Sequence, residues 1–331
     1  MTRTRRIRLG YQIPNFTYPG GPEQIFNTVA AQAQEAEAAG FDAVLVMDHF
    51  YQLPMIGKPE EPMLEAYTTL GALAAVTDRI QLSTLVTGNT YRNPALLAKI
   101  VTTLDVISGG RAVLAIGAGW YELEHDQLGY EFGTFTDRFE RLGEALDIIE
   151  PMLRGRTPDH DGRWYQAHGT LNQPQLRTDL PIMLGGSGEK KTFGLAARYA
   201  DHLNLNTSPG EIPRKLDALA QRCAEAGRDR SELETSFLAM VIMDESGDEA
   251  QRLLRQHLAK NGIDLDTMPD DARRQLTDRL FVGTPDDVAD QLQRKVIEAG
   301  IDGVIINLLP NGHLPGVVEM AGKALSPLVA V

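Results

Sequence analysis

Eight short apolar runs recur along the 331 residues, each followed by a helical pattern, and this alternation constrains the fold more than any single motif. The runs are Ile7–Ile13, Ala43–Met47, Ile80–Val86, Ala112–Ile116, Pro181–Leu184, His202–Asn206, Thr235–Met243 and Gly303–Leu308. Most are apolar throughout rather than alternating, the pattern of strands buried on both faces in a parallel sheet. Between them lie amphipathic helices. Pro22–Ala39 places Ile25, Phe26, Val29, Ala30 and Ala33 on one face and stops at Gly40. Asn93-Pro94 opens a second example with Leu97, Val101, Leu104 and Ile107 aligned. A third, around Asp137–Leu153, aligns Phe139, Leu142, Leu146 and Ile149.

This α/β pattern predicts a TIM (β/α)8 barrel; a doubly wound sheet, the alternative, normally uses fewer strands. Such barrels take about 250 residues, leaving roughly 80 for loop insertions at the C-terminal face. HDGRWYQ reads as a surface hairpin turning at Asp161-Gly162, and Asp126–Thr134 as a loop. No linker divides residues 1–331, so one domain is expected.

The formal net charge of −13 argues against general affinity for nucleic acid or anionic membranes. A single cysteine, Cys223, excludes an internal disulfide and a cysteine-based zinc cluster. The basic start, Met1–Arg6, is followed by no long apolar run, and no stretch approaches the roughly 18 apolar residues of a membrane helix. A soluble, cytoplasmic protein is the expectation.

Barrel enzymes place their chemistry at the C-terminal ends of the strands. Here those ends carry Gln12–Asn15, Asp48-His49, Thr87-Gly88-Asn89, Gly119–Glu122, Gly185–Lys190, Asn204–Thr207, Met243-Asp244 and Asn307. The set is rich in amides, hydroxyls and glycine and poor in metal ligands. The first strand ends Tyr11-Gln12-Ile13-Pro14, without a histidine pair, and no HExxH occurs, so no metal site is expected.

Three features stand out at this rim. Ala112–His125 (AVLAIGAGWYELEH) runs from an apolar strand through Gly117 and Gly119 into Trp120, Tyr121, Glu122, Glu124 and His125, so its glycines read as clearance for a flat ring. Gly185-Gly186-Ser187-Gly188 leads from a strand into a helix, either as an anion site of backbone N–H groups or as a tight turn. Neither glycine cluster completes GxGxxG, because Glu122 and Lys191 stand where the third glycine belongs. Asp48-His49 is either a structural pair or part of the site. Together the three features would surround one planar, phosphorylated cofactor.

In these motifs the chain resembles the luciferase-like monooxygenase superfamily. The resemblance rests on GFDAVLVMDHF (Gly40–Phe50), TGNTYRNPALLAK (Thr87–Lys99), SGGRAVLAIGAGWYELEH (Ser108–His125) and DRFERLGEALDII (Asp137–Ile149). PIMLGGSGEKKT (Pro181–Thr192) and VGTPDDVADQL (Val282–Leu292) complete it. It implies a barrel binding coenzyme F420, a deazaflavin, or alternatively FMN, and the wording is most similar to the F420-dependent oxidoreductases. By the same resemblance His49 is the catalytic residue beside the ring. Asp48, Thr84, Leu85, Val86, Thr87, Asn89, Gly119, Trp120, Tyr121 and His125 would bind the cofactor, with a bulge or non-proline cis peptide near Thr84–Val86. Gly185, Gly186, Ser187 and Gly188 would hold its phosphate. A small-molecule substrate, a homodimer and, for an FMN enzyme, a separate cofactor reductase are also implied. The chain departs from the sugar-phosphate dehydrogenases of the superfamily: Trp120 and Tyr121 precede Glu122 after the strand-four glycines, and no lysine pair is evident.

Overall fold

The computed structural model describes residues 6–54 and 56–329. Apart from Arg6, the basic start lies outside the described residues. Eight parallel strands form the barrel: Leu9–Ile13, Ala43–Val46, Gln81–Thr84, Leu114–Gly117, Ile182–Gly185, His202–Leu205, Glu234–Met243 and Gly303–Leu308. Each sits within one of the eight apolar runs, give or take a residue. The first strand pairs with the second on one side and the eighth on the other. Pairing then runs from the eighth through the seventh, sixth and fifth to the fourth. Closure comes from the third strand and its continuation: Leu82 bridges Ala112, and Thr87-Gly88 pairs with Ile116-Gly117.

Two apolar layers explain why the strands lack a wet face. Ala43, Leu45, Val113, Ala115, Met183 and Ile305 fill the barrel interior. Val44, Val46, Leu114, Ile116, Ile182, Leu184 and Ile306 point the other way, into the larger core beneath the helices. Alternate residues of one strand thus serve different cores, so most positions are apolar, and the exceptions, among them Gln12, Ser83, Asn204, Ser236 and Asn307, are buried polar side chains.

The helices that position the site are α1 (Pro22–Ala38), α2 (Ala66–Ala74), α3 (Pro94–Ile107), α4 (Glu122–Leu128), α5 (Phe135–Leu153) and α6 (Lys191–Tyr199). Thr134 and Asp137 close a capping box at the start of α5, so this helix begins where its chemistry directs. The expected hairpin is present, pairing Asp159–Asp161 with Gln166–His168, but Asp161 is itself paired and the chain turns through Gly162–Tyr165 rather than at Asp161-Gly162.

Two departures from the sequence reading matter. Asp126–Thr134 is not all loop, because α4 extends to Leu128 and is ended by Gly129 at φ 75°. The segment before Thr284 also holds a further parallel strand, Leu280–Gly283, paired with Met240–Met243. With Ile242, Leu254 and Leu258, Leu280 forms a satellite core outside the barrel. Four residues inside a helix-rich excursion carry too little periodicity to announce a strand. Among the described residues no helix is long and apolar enough to cross a membrane.

Candidate active site

A cavity of about 360 Å³ opens at the C-terminal mouth of the barrel, between the ends of strands two to seven. Leu85 and Val86 form part of its lining, joined by a cis peptide bond at the place the resemblance indicated. Val86 reaches across toward the fourth and fifth strands because both present glycine there. A Cβ at Gly185 would lie 2.7 Å from Val86 Cγ1, and one at Gly117 would lie 3.0 Å from Val86 Cγ2. Gly119, at φ +81°, similarly faces Thr90, whose Oγ1 would be 2.7 Å from an added Cβ. The strand-four glycines thus give room to Val86 and Thr90, and both glycines also line the cavity.

His49 lines the cavity just beyond the second strand. Its Nδ1 lies 2.9 Å from Oε2 of Glu124, a residue of α4 with no exposed surface. Three donors converge on the same carboxylate: Phe50 N–H at 2.5 Å, Tyr51 N–H at 2.9 Å and Tyr91 O–H at 2.5 Å. Burial opposes ionisation of Glu124, but the His49, Tyr91 and Tyr51 contacts outweigh it and hold the carboxyl below its usual range. Edge-on to His49 stand Trp120, at 5.6 Å between ring centres, and Tyr121, at 5.8 Å. Trp120 lines the mouth and is 59% exposed, a large apolar surface left open at the entrance.

Glu124 was absent from the sequence-derived candidates. One signal could have found it: Glu122 and Glu124 lie two positions apart on a helix, so they face opposite sides. Glu122 is exposed, whereas Glu124 and His125 turn inward.

Asp48 also lines the cavity, but its carboxylate is committed. Arg92 clamps it bidentately, at 2.7 Å and 2.9 Å, and Gly88 N–H donates at 3.0 Å. Burial disfavours the charge on both partners. For Arg92, hydrogen bonding and attraction to Asp48 prevail and hold the guanidinium firmly charged. The pair fastens the end of the second strand to the segment after the third.

The remaining candidates divide by position. Thr87, Gly119, Gly185 and Gly186 line the cavity with Leu85, Val86 and Trp120. Thr84 lies behind, its hydroxyl 2.8 Å from that of Thr87 and 3.1 Å from the Ala115 carbonyl. His125 is fully buried beneath the rim, where its ring nitrogens meet Thr90 Oγ1 at 2.7 Å and the Tyr121 carbonyl at 2.8 Å. Asn89 is buried near Tyr165, away from the lining. Ser187 donates its hydroxyl to the Asn206 carbonyl at 3.0 Å, and the Gly188 carbonyl accepts from Phe193 in the first turn of α6. The Gly185–Gly188 segment thus runs from the cavity to the N-terminus of α6, where a helix favours negative charge.

The structure adds residues that motif reading did not single out. Arg138 of α5 lines the cavity, held by the carbonyls of Gly119 at 3.1 Å and Gly133 at 2.9 Å and stacked 3.8 Å over Phe132. Phe135, Phe139, Thr192, Leu238, Asn204 and Asn206 also line the cavity. Asn204 donates to Ser236 Oγ at 2.8 Å, and the same oxygen lies 2.7 Å from His202 Nε2. Burial pushes His202 down to about 4. Among the described residues no group of three or more His, Cys, Asp or Glu is placed to hold a metal ion.

Residues 7–303 match the family model for luciferase-like monooxygenases. The chain is 30% identical to the pyrimidine monooxygenase RutA of Stutzerimonas stutzeri (strain A1501), over 92% of this chain and 89% of that protein. It is 32% identical to the F420-dependent glucose-6-phosphate dehydrogenase of Microbacterium testaceum (strain StLB037), over 74% of this chain and 70% of that one. Its fold matches that of the coenzyme F420-dependent tetrahydromethanopterin reductase from Methanopyrus kandleri, with a TM-score of 0.77 and 20% identity over 98% and 99% of the two chains.

Proposed function

Taking as premise that the chain belongs to the luciferase-like monooxygenase family, we propose that it is an F420-dependent oxidoreductase acting on a small organic substrate held over the cofactor ring. The observation that carries this reading is the cavity itself: an apolar lining of Leu85, Val86 and Leu238, an imidazole at its edge, and a glycine segment leading to the N-terminus of α6. A planar head group with an anionic side chain fits these three features. Leu85, Val86 and Trp120 would contact the ring; Gly185, Gly186, Ser187 and Gly188 would hold the phosphate. Bound there, F420 supplies hydride exchange at the central carbon of its ring.

The chain's own contribution is a largely apolar pocket and one proton-handling group. Asp48 is neutralised by Arg92, and Glu124 is sealed behind His49. His49 is therefore the side chain placed to orient the substrate or move a proton as charge develops. Asp48, Thr84, Asn89 and His125 would support the cofactor wall rather than touch the ring. Trp120 and Tyr121 would flank the substrate.

An FMN-dependent monooxygenase served by a separate reductase is the second reading, favoured by the resemblance to RutA over nearly the whole chain. Fluorescence titration of the apo-protein with each cofactor tests the choice. Saturable binding of F420 with much weaker FMN binding is expected; tight FMN binding without F420 binding overturns it. Reduced-cofactor oxidation across enones, imines and quinones would then define the substrate class. A homodimer belongs to the same proposal and is checked by sedimentation.

A further inference from the structure

We infer that Glu124 is a positioning residue that fixes the tautomer and orientation of His49, so that Nε2 is the nitrogen presented to the ligand. The inference rests on His49 being the proton-handling group of the cavity. Its ground is the way four hydrogen bonds converge on one buried carboxylate. Oε1 receives the N–H groups of Phe50 and Tyr51, which can only donate. Oε2 receives the Tyr91 hydroxyl and faces His49 Nδ1. Burial and the adjacent Glu124 push the Tyr91 hydroxyl pKa up, so that group also keeps its proton. A carboxylate surrounded in this way has no proton to offer, and Nδ1 must be the donor. A neutral ring then carries its lone pair on Nε2.

Orientation is fixed by the same contacts. The carboxylate comes from α4, 75 residues away in sequence, and ties His49 to the two peptide groups that follow it. Trp120 and Tyr121 meet the ring edge-on, limiting its rotation about χ2. A merely structural Glu124 would need only the Phe50 and Tyr51 bonds. The bond to Nδ1 adds a chemical constraint.

Glu124→Gln separates these roles. Its amide oxygen can still accept from Phe50 and Tyr51, while its NH2 group faces Nδ1 and requires that nitrogen to accept. The tautomer should invert. Long-range ¹⁵N–¹H correlation spectra of the apo-protein, with His49 assigned through His49→Asn, read this directly. Wild type should show the Nδ1–H form and E124Q the Nε2–H form. Turnover of the F420-loaded variant should fall by about 10²-fold, the scale of a lost acid–base group, with cofactor Kd changed less than about twofold. An Nε2–H ring in the wild type overturns the inference, even if E124Q fails to fold. So does a variant that keeps the wild-type tautomer. If the tautomer inverts and turnover is unchanged, Glu124 does position the ring and the acid–base reading of His49 is the part that fails.

Discussion

Val86 stands so close to Gly185 that a single added methyl group would lie 2.7 Å from its Cγ1. A side chain from the segment after the third strand therefore occupies space left by the fifth, and the contour of the cavity depends on both residues. Gly185→Ala should overpack this contact and cost about 1–3 kcal/mol of stability. The displaced Val86 should weaken cofactor binding by about tenfold or more. Thermal melts and cofactor titration check both, and Val86→Ala in the same chain should restore binding. Unchanged binding in the single variant would remove Val86 from the wall.

The Asp48–Arg92 pair should be far more costly to break than to remove. Arg92→Met leaves a buried carboxylate without its counter-charge, an expected loss of about 3–5 kcal/mol. Asp48→Asn combined with Arg92→Met should lose less. Urea unfolding of the two single variants and the double variant gives the coupling. Additive losses would mean that the clamp contributes no pairwise energy.

Replacing His49 by alanine tests the proposed reaction most directly. Turnover should drop by about 10²-fold while cofactor affinity stays near wild type. Full turnover with normal cofactor binding would sink the acid–base role.

His202 supplies a pH prediction for stability. Its folded pKa is depressed from 6.5 to about 4 by burial, so the unfolded chain takes up this proton first as pH falls. The sign follows: stability is kept above about pH 6.5 and declines between there and pH 4, by at most about 3 kcal/mol. His202→Asn should flatten that part of the curve of melting temperature against pH. A wild-type curve no steeper than the variant's would show that burial does not keep this ring neutral.

Much of the framework was legible beforehand because it rests on local periodicity. A strand buried on both faces is apolar at most positions, and eight such runs can be counted in the sequence. Val44 and Leu45 illustrate the point: they face different cores, yet both must be apolar. Two rim motifs read from the sequence, Asp48-His49 and Gly185-Gly186, do line one cavity at the C-terminal mouth. The strand Leu280–Gly283 was not, because its four residues make sense only against the extended seventh strand.

Within the site, residue type was visible and partnership was not. Asp48 and His49 are neighbours in sequence, yet they belong to separate networks, one closed by Arg92 and the other by Glu124. The glycines after the fourth strand announced close approach without saying what approaches, and the answer is Val86 and Thr90. The sequence by itself determined the barrel, its parallel strands and the rim that carries the polar groups, because side-chain alternation and helix stripes are set by near neighbours. Only the tertiary structure decided which carboxylate is spent on a guanidinium and which one orients an imidazole. Hydrogen bonds act over about 3 Å of space, whatever the distance along the chain, and closing the barrel is what brings residues 49 and 124 within that range.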